Sequence, residues 1–214
     1  LDQDRTQRPD EGILLRRWID RGRDRAQNGS TTGRLPLEAV GATNIGEVFA
    51  QHGFATAGIV ANPHLQPRFA FDDGFDVWSF DGKANAEQQV DRSLAWLKSN
   101  QEVDTFLFVH FMDPHMIYSA PGEFRNKFVE DPVPGLPPRI TRSDVLEQMR
   151  KQQLDDRKKA QLVALHDGEL SYLSNQLGRL FDELDRMPGR TLVVLHSDHG
   201  EEFWEQSRFE HNHS

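Results

Sequence analysis

The feature that most constrains the fold is an alternation of amphipathic helix patterns with short apolar runs. From about residue 40 the order is helix, strand, helix, strand, helix, strand, with strands predicted in ATAGIVAN, TFLFVHFM and TLVVLHS. Runs that are apolar throughout are typical of parallel strands that are buried on both faces. Right-handed crossovers through the helices then predict an α/β fold, in which a parallel-rich sheet is flanked by helices on both faces.

Three helices are expected around these strands. Thr43 is predicted to cap the first. The apolar positions of the first two recur at helical spacing: Ile45, Val48 and Phe49, then Val90, Leu94 and Leu97. The third helix is predicted from about residue 157 to 187, with a leucine stripe made of Leu170, Leu173, Leu177, Leu180 and Leu184. His166, on this helix, is expected to be structural, and FDDGFDVWSFDG is expected to be a turn-rich loop.

Composition narrows the class of protein. Lys plus Arg is 25 and Asp plus Glu is 34, so the net charge of −9 argues against a nucleic-acid or anionic-membrane binder. Cysteine is absent, which excludes disulfides, thiolate metal sites and cysteine nucleophiles within these residues. The apolar runs are too short to span a bilayer, and LDQDRTQRPDEG lacks the apolar region of a signal peptide. A periplasmic or extracellular location of a parent protein stays open.

The chain divides into two regions by pattern. Residues 1–36 form a polar N-terminal segment, in which the helical spacing of Leu14, Leu15 and Trp18 allows a short helix before the loop-like stretch AQNGSTTG. Residues 37–214 carry the regular alternation and are expected to belong to the α/β domain.

Histidine and aspartate gather where the three predicted strands end. The loops there read NPHL, MDPHMIY and SDHGEE, and the carboxyl ends of parallel strands are where sites of such sheets form. Asp198 and His199 follow the last strand directly, and a carboxylate oxygen beside an imidazole nitrogen can ligate divalent cations. The alternative is that Asp198 only caps a following helix.

The remaining candidates are less constrained by pattern. His115 follows the second strand, where a histidine can bind a substrate oxyanion or protonate a leaving group. Asp113 precedes a proline and is expected to shape the turn, and His110 is expected to pack in the core. His211 and His213 would share one side of a strand and reach a metal or an anion, whereas in a coil they would be a mobile tail.

Five stretches carry further information when they are taken in order: TNIGEVFAQHGFATAGIVANPHL, DDGFDVW, FLFVHFMDPHMIYSAP, HDGELSYLSNQLGRLFDEL and TLVVLHSDHGEEFWE. Together they resemble the sulfatase family of the alkaline-phosphatase superfamily. The last is close to the family signature, in which an apolar strand leads into Ser-Asp-His-Gly and acids. The resemblance covers roughly residues 37–214, and it implies a metal-dependent hydrolase of sulfuric esters that acts on a small sulfate ester or a sulfated glycan.

The resemblance also implies roles for single residues. The family holds one Ca²⁺, sometimes Mg²⁺, between an N-terminal Asp pair and a later Asp followed by Asn or His, which Asp198 and His199 match. The metal would neutralise the ester oxygens and position the nucleophile. His115 matches the histidine that contacts the sulfate and assists the leaving oxygen. His211 or His213 could be the substrate-binding basic residue that follows the Asp-His-Gly loop.

The sequence departs from the family at the nucleophile. The family makes formylglycine from the Cys or Ser of a Cys/Ser-x-Pro-x-Arg motif, and neither form is present here. Asp2 and Asp4 have no apolar strand before them, so the N-terminal Asp pair is also missing. We therefore expect the central part of a sulfatase domain, which is inactive alone. Two alternatives stay open: a phosphate or phosphonate ester hydrolase of the same superfamily, and a non-catalytic binding module.

Overall fold

The computed structural model describes residues 43–130, 132–134, 140–205 and 209. They form two compact units, which are residues 43–83 with 95–110, and residues 84–94 with the described part of 111–209. The polar segment 1–36 lies outside the described residues, so the domain boundary near residue 37 stays a prediction.

A parallel three-stranded sheet forms the centre of the first unit. Its strands are β1 (Ala55–Val60), β2 (Val77–Phe80) and β3 (Thr105–His110), in the order β2-β1-β3. Val60 pairs with Phe80 on one side and with His110 on the other. The predicted strands in ATAGIVAN and TFLFVHFM are therefore confirmed, and so is the α/β class with a parallel sheet and helices around it.

Strand β2 corrects the prediction of a loop at this position. The four residues VWSF lie between the turn signals Asp-Asp-Gly and Asp-Gly, which hide so short a strand from a pattern of this kind. The Trp78 ring packs directly on Gly58 of β1, where an added Cβ would lie 2.1 Å from the ring. Glycine at this position thus lets a large aromatic ring cover the central strand.

The helix before the sheet, α1 (Ile45–Gln51), begins one residue later than expected. Its cap is Asn44 rather than Thr43, because the Asn44 side chain accepts a hydrogen bond from the Glu47 backbone N–H at 2.9 Å. The Glu47 carboxylate accepts in return from the Asn44 backbone N–H at 2.7 Å. This capping box satisfies two donors that the helix itself leaves without partners.

Only one of the predicted apolar positions of α1 packs closely. Phe49 stacks on Phe106 of β3 with ring centroids 4.2 Å apart, and it meets Phe54 edge-on at 5.0 Å. Ile45 and Val48 are 56% and 43% exposed. The helix is therefore attached to the sheet mainly through aromatic contacts.

The next helix, α2 (Ala86–Lys98), follows its predicted pattern. Val90, Leu94 and Leu97 are all buried, with exposures of 0%, 9% and 7%. Their spacing places them on one stripe of the helix, so the predicted buried face is confirmed.

Three further helices belong to the second unit: α3 (Gly122–Arg125), α4 (Arg142–Arg150) and α5 (Asp156–Leu184). The buried face of α5 consists of Leu162, Leu165, Gly168, Glu169, Tyr172, Gln176 and Leu180. The predicted leucine stripe is wrong in part, because Leu180 is buried whereas Leu170 is 43% exposed. The true stripe includes polar Glu169 and Gln176, which a search for leucines passes over. No helix in the described part of the chain is long and apolar enough to cross a membrane.

Helix α3 approaches the backbone of α5 closely at Gly168. A Cβ at that position would lie 2.7 Å from the Phe124 carbonyl oxygen and 3.1 Å from that of Arg125. Glycine therefore allows a backbone-to-backbone contact that any larger residue would force apart.

The main apolar core of the second unit lies against the N-terminal half of α5. It consists of Met116, Tyr118, Ile140, Val145, Leu162, Leu165 and Phe209. Tyr118 and Ile140 also form an isolated antiparallel bridge. The loop that follows β3 is therefore part of this core rather than a free connection.

The run TLVVLHS is not a strand in the structure, which corrects the prediction. Residues 190–197 have no regular secondary structure. The exposed fractions of Leu192, Val193, Val194 and Leu195 are 89%, 49%, 76% and 67%. A strand needs a neighbour for its backbone N–H and C=O groups, and no described strand pairs with this run. Apolar, β-branched composition indicates strand propensity, but it does not supply a neighbouring strand.

Candidate functional site

Asp198 and His199 lie together on an exposed turn. Their side chains are 68% and 42% exposed, and His199 Nε2 lies 3.7 Å from Asp198 Oδ1. The backbone N–H of His199 also donates to Asp198 Oδ1 at 3.1 Å. No helix follows in residues 199–205, so the structure does not support the alternative that Asp198 is a helix cap.

The ring of His199 is held in one orientation by the chain itself. Its Nδ1 lies 2.9 Å from the Gly200 carbonyl oxygen. A carbonyl can only accept, so Nδ1 carries the proton, and Nε2 of the neutral ring has the lone pair. Metal-binding histidines are typically oriented in this way, with the second nitrogen donating to a backbone carbonyl.

The pair fits a cation as two of its ligands. Ligand atoms lie about 2.0–2.6 Å from Zn²⁺ or Ca²⁺, so two donor atoms 3.7 Å apart can share one ion. The described residues contain no group of three or more acidic or histidine side chains that could hold a metal. Since Ca²⁺ takes about 6–8 oxygen ligands, the Asp198 carboxylate would supply only one or two of them, and the His199 nitrogen would be an additional, non-oxygen ligand.

His115 lies on the loop between β3 and α3, and its side chain is exposed. Its backbone N–H donates to the Met112 carbonyl at 2.6 Å, and its ring Nδ1 lies 2.5 Å from the Met116 carbonyl oxygen. As in His199, Nδ1 must be the donor, which makes Nε2 the acceptor nitrogen of the neutral ring. The loop thus selects one tautomer of the ring.

Alternate burial keeps this loop in place. Met116, Tyr118 and Ala120 are 9%, 1% and 5% exposed, whereas His115 and Ser119 are exposed. The apolar members pack into the second unit. His115 is thereby left at the surface, next to residues that hold the backbone.

A buried carboxyl group, Glu169 of α5, holds the end of the loop. Its Oε1 accepts hydrogen bonds from the backbone N–H groups of Ser119 and Ala120, the second at 2.5 Å. The residue is only 4% exposed. Burial raises the pKa of Glu169 to about 7, and nearby Asp113 adds to the increase, whereas the two N–H groups and Arg125 oppose it.

Polar contacts also connect the start of the loop to α2. Burial raises the pKa of Asp113, whose carboxylate accepts hydrogen bonds from its own backbone N–H and from that of Ala86. The Tyr172 hydroxyl of α5 accepts from the Glu87 backbone N–H at 3.2 Å. Asp113 therefore shapes its turn, and it also lies within a network that reaches the N-terminal end of α2.

His166 of α5 contacts both segments that carry predicted site residues, which are the loop of His115 and the segment after Asp198 and His199. Its ring meets Tyr118 at 5.7 Å and Phe203 at 5.1 Å between centroids, both edge-on. Burial lowers the pKa of His166, and Asp167 and Glu201 partly oppose this effect. Its predicted structural role is confirmed. One side chain thus contacts the loop of His115 and the segment that follows Asp198 and His199.

The other predicted histidines divide into two groups. His110 ends β3, pairs with Val60 in the sheet, and is half-buried as expected of a packed residue. His211 and His213 lie outside the described residues, so their substrate-binding role stays a prediction. Sequence reasoning missed Glu169, although an acidic residue at helical spacing between Leu165 and Tyr172 is a signal that could have identified it.

Comparison with known protein families gives a match. The model of the family described as Sulfatase matches residues 19–214, which include both described units and both site loops. Neither the curated proteins nor the solved structures contain a match to this chain.

Proposed function

The chain belongs to the sulfatase family, and on that premise we propose that its protein hydrolyses sulfate esters. The observation that carries the proposal is the pair Asp198 and His199, whose Oδ1 and Nε2 atoms lie 3.7 Å apart at the surface. The orientation of His199 by the Gly200 carbonyl further supports a role as a ligand. The substrates proposed are small sulfate esters or sulfated glycans.

Asp198 and His199 would hold a divalent cation, either Ca²⁺ or Mg²⁺. Such an ion, when bound, withdraws negative charge from the ester oxygens. The exposure of the two side chains is compatible with this role, since further ligands, water or substrate can reach the ion.

His115 would act on the leaving group. As the S–O bond to the alcohol breaks, the imidazolium form of His115 would give its Nε2 proton to the departing oxygen, so that the alcohol leaves neutral and the ring keeps its proton on Nδ1. The hydrogen bond from Nδ1 to the Met116 carbonyl would keep the ring oriented in both protonation states. His211 or His213 would contact the sulfate oxygens.

The nucleophile would come from outside these 214 residues, because they contain no Cys and no Ser-x-Pro-x-Arg motif. We propose that a formylglycine, encoded elsewhere in the same gene, supplies the attacking hydroxyl group. The 214 residues alone would then show no turnover. Sequencing the complete reading frame tests this point, and a frame without a Cys/Ser-x-Pro-x-Arg motif would contradict it.

The activity is tested by assaying the full-length protein with aryl sulfates, aryl phosphates and aryl phosphonates, and by measuring its metal content. Sulfate release with one Ca²⁺ or Mg²⁺ per chain is expected. His115→Ala should lower kcat by about 10²–10⁴, most for poor leaving groups. His52→Ala is the matched control, because His52 is also exposed and bonds the Val48 carbonyl through Nδ1. Phosphate release with two metal ions would indicate a phosphoesterase, and ligand binding without turnover would indicate a binding module.

A further inference from the structure

We propose that Glu169 is a positioning residue for His115. It holds the backbone at Ser119 and Ala120 and thereby fixes the position of the His115 side chain. The contact itself is present in the structure. Its catalytic consequence rests on the function proposed above, because only that function makes the place of His115 matter.

The geometry of the contact is specific to one oxygen atom. Glu169 Oε1 accepts from two consecutive backbone N–H groups, those of Ser119 and Ala120. Two successive donors that converge on one atom fix the orientation of both peptide groups, which a single bond would not do. His115 lies four residues before Ser119, on the same loop as this contact.

The rest of the loop is held by apolar packing, and the hydrogen bonds to Glu169 add a fixed backbone orientation, which packing does not provide. Tyr118 lies in the apolar core, and Ala120 packs with Ala86 and Tyr172 in a smaller cluster. Apolar contacts are non-directional, so they hold the loop against the unit without selecting a backbone orientation. The carboxyl group supplies direction, and burying it there incurs a desolvation cost that an apolar residue would avoid.

Several charged or titratable groups face Glu169. Asp113 approaches from the site loop, Arg125 from α3, and Tyr172 from the next turn of α5. With a pKa of about 7, Glu169 occurs in both protonation states near neutral pH. The contact persists in both, since Oε1 can remain an acceptor, but it is stronger when the group is ionised.

The first test is amide hydrogen exchange at Ser119 and Ala120 in the full-length protein. Glu169→Ala removes the acceptor and should speed exchange at these two amides by about tenfold or more. Glu169→Gln keeps an oxygen at the same place and should exchange at close to the wild-type rate. A folded Glu169→Ala protein with wild-type exchange at both amides would overturn the proposal.

A matched control comes from the same face of α5. Gln176 is 6% exposed, and its side chain bonds Asn175 and Arg179 rather than the loop. Gln176→Ala should leave exchange at Ser119 and Ala120 unchanged. If it speeds exchange there as much as Glu169→Ala does, the effect is general loosening and the proposal fails.

A second measurement covers the case in which Glu169→Ala does not fold. The amide proton shifts of Ser119 and Ala120 should titrate with a midpoint near pH 7 in the wild-type protein. They should stay flat in Glu169→Gln, which has no proton to lose. A flat profile in the wild type would overturn the proposal without any variant.

The consequence for His115 has its own readouts. The ¹⁵N shifts of its ring should report a proton on Nδ1 in the wild type and in Glu169→Gln, but a mixture of tautomers in Glu169→Ala. In the sulfate-ester assay, Glu169→Ala should lower kcat more than it changes KM, and Glu169→Gln should restore kcat.

If the wild type hydrolyses no sulfate ester, the proposed function fails while the exchange result stands. If activity is present but Glu169→Ala leaves kcat and the His115 tautomer unchanged, the positioning role fails.

Discussion

Two runs of nearly the same composition behave differently in this protein. TFLFVH at 105–110 forms β3, with half-buried residues paired along β1. TLVVLHS at 191–197 forms no strand, and its Leu192 is 89% exposed. The difference lies in the neighbour: the first run has a strand beside it and the second has none among the described strands.

The two loops that follow these runs differ in the same way. The loop of His115 is held by buried Tyr118 and by the two bonds to Glu169. The turn of Asp198 and His199 is exposed, and the segment that follows it contacts His166 through Phe203. We infer that the described residues hold the conformation of the first loop more firmly than that of the second.

The largest effect is expected from a proline placed in each region. Ile59→Pro, in the central strand, should destabilise the sheet by about 3 kcal/mol for the proline and roughly 2 kcal/mol for the lost buried side chain. Val194→Pro, in the run without a partner, should cost under about 0.5 kcal/mol. Hydrogen exchange of the β1 amides measures both. Equal losses would show that residues 191–197 are paired in solution.

A smaller effect on stability is expected from removing the aromatic side chain that packs each loop against the protein. Tyr118→Ala should cost about 3–5 kcal/mol, since the side chain is only 1% exposed. Phe203→Ala should cost less because Phe203 is half-buried. Denaturant titration, with exchange followed separately in residues 113–120 and 198–205, gives the two values. A larger loss for Phe203→Ala would reverse our ranking of the loops.

The free energy of unfolding should depend on pH through the ionisation of Glu169. Its pKa is about 7 when folded against 4.5 as its ordinary value, so its contribution is fully present below pH 4.5 and declines as the pH rises through 7. The wild type should therefore lose up to about 3 kcal/mol relative to Glu169→Gln over this interval. Parallel stability curves for the two proteins would show that Glu169 has an ordinary pKa. Gln176→Glu, on the same buried face, tests whether any carboxyl placed there behaves alike.

The smallest effect on stability is expected at the exposed turn. Asp198→Asn should change the free energy of unfolding by under about 0.5 kcal/mol, since the side chain is 68% exposed. Addition of Ca²⁺ to the full-length protein should slow exchange in residues 191–200 of the wild type but not of this variant. Asp182→Asn, at an exposed position of α5, should respond like the wild type. Protection by Ca²⁺ that persists in Asp198→Asn would remove Asp198 from the proposed metal site.

Local pattern accounts for much of the fold. Continuous apolar runs predicted β1 and β3, and helical spacing predicted α2 and the extent of α5, because each signal lies within one element. Strand β2 was missed since four residues between turn signals carry little periodicity. The strand at 191–197 was predicted wrongly because pairing depends on a distant segment, which the run itself does not specify.

In the candidate site, too, local features could be predicted from the sequence, whereas a contact between distant residues could not. Asp198 and His199 could be proposed as site residues because adjacent ligand types after an apolar run are visible in sequence. The contact of Glu169 with Ser119 and Ala120 joins residues 50 and 49 positions apart, so no local pattern contains it. The polar residue on the buried face of α5 was a visible signal, but its partner was not.

The position of His166 has a practical consequence. Its ring lies edge-on to both Tyr118 and Phe203, with centroids 5.7 Å and 5.1 Å away. Aromatic ring currents shift the resonances of nearby protons, so the carbon-bound protons of this imidazole sense both loops at once. Displacement of either loop would move the same pair of NMR signals. The protein thus contains an intrinsic spectroscopic probe of the positions of both loops, which requires no label and no substrate.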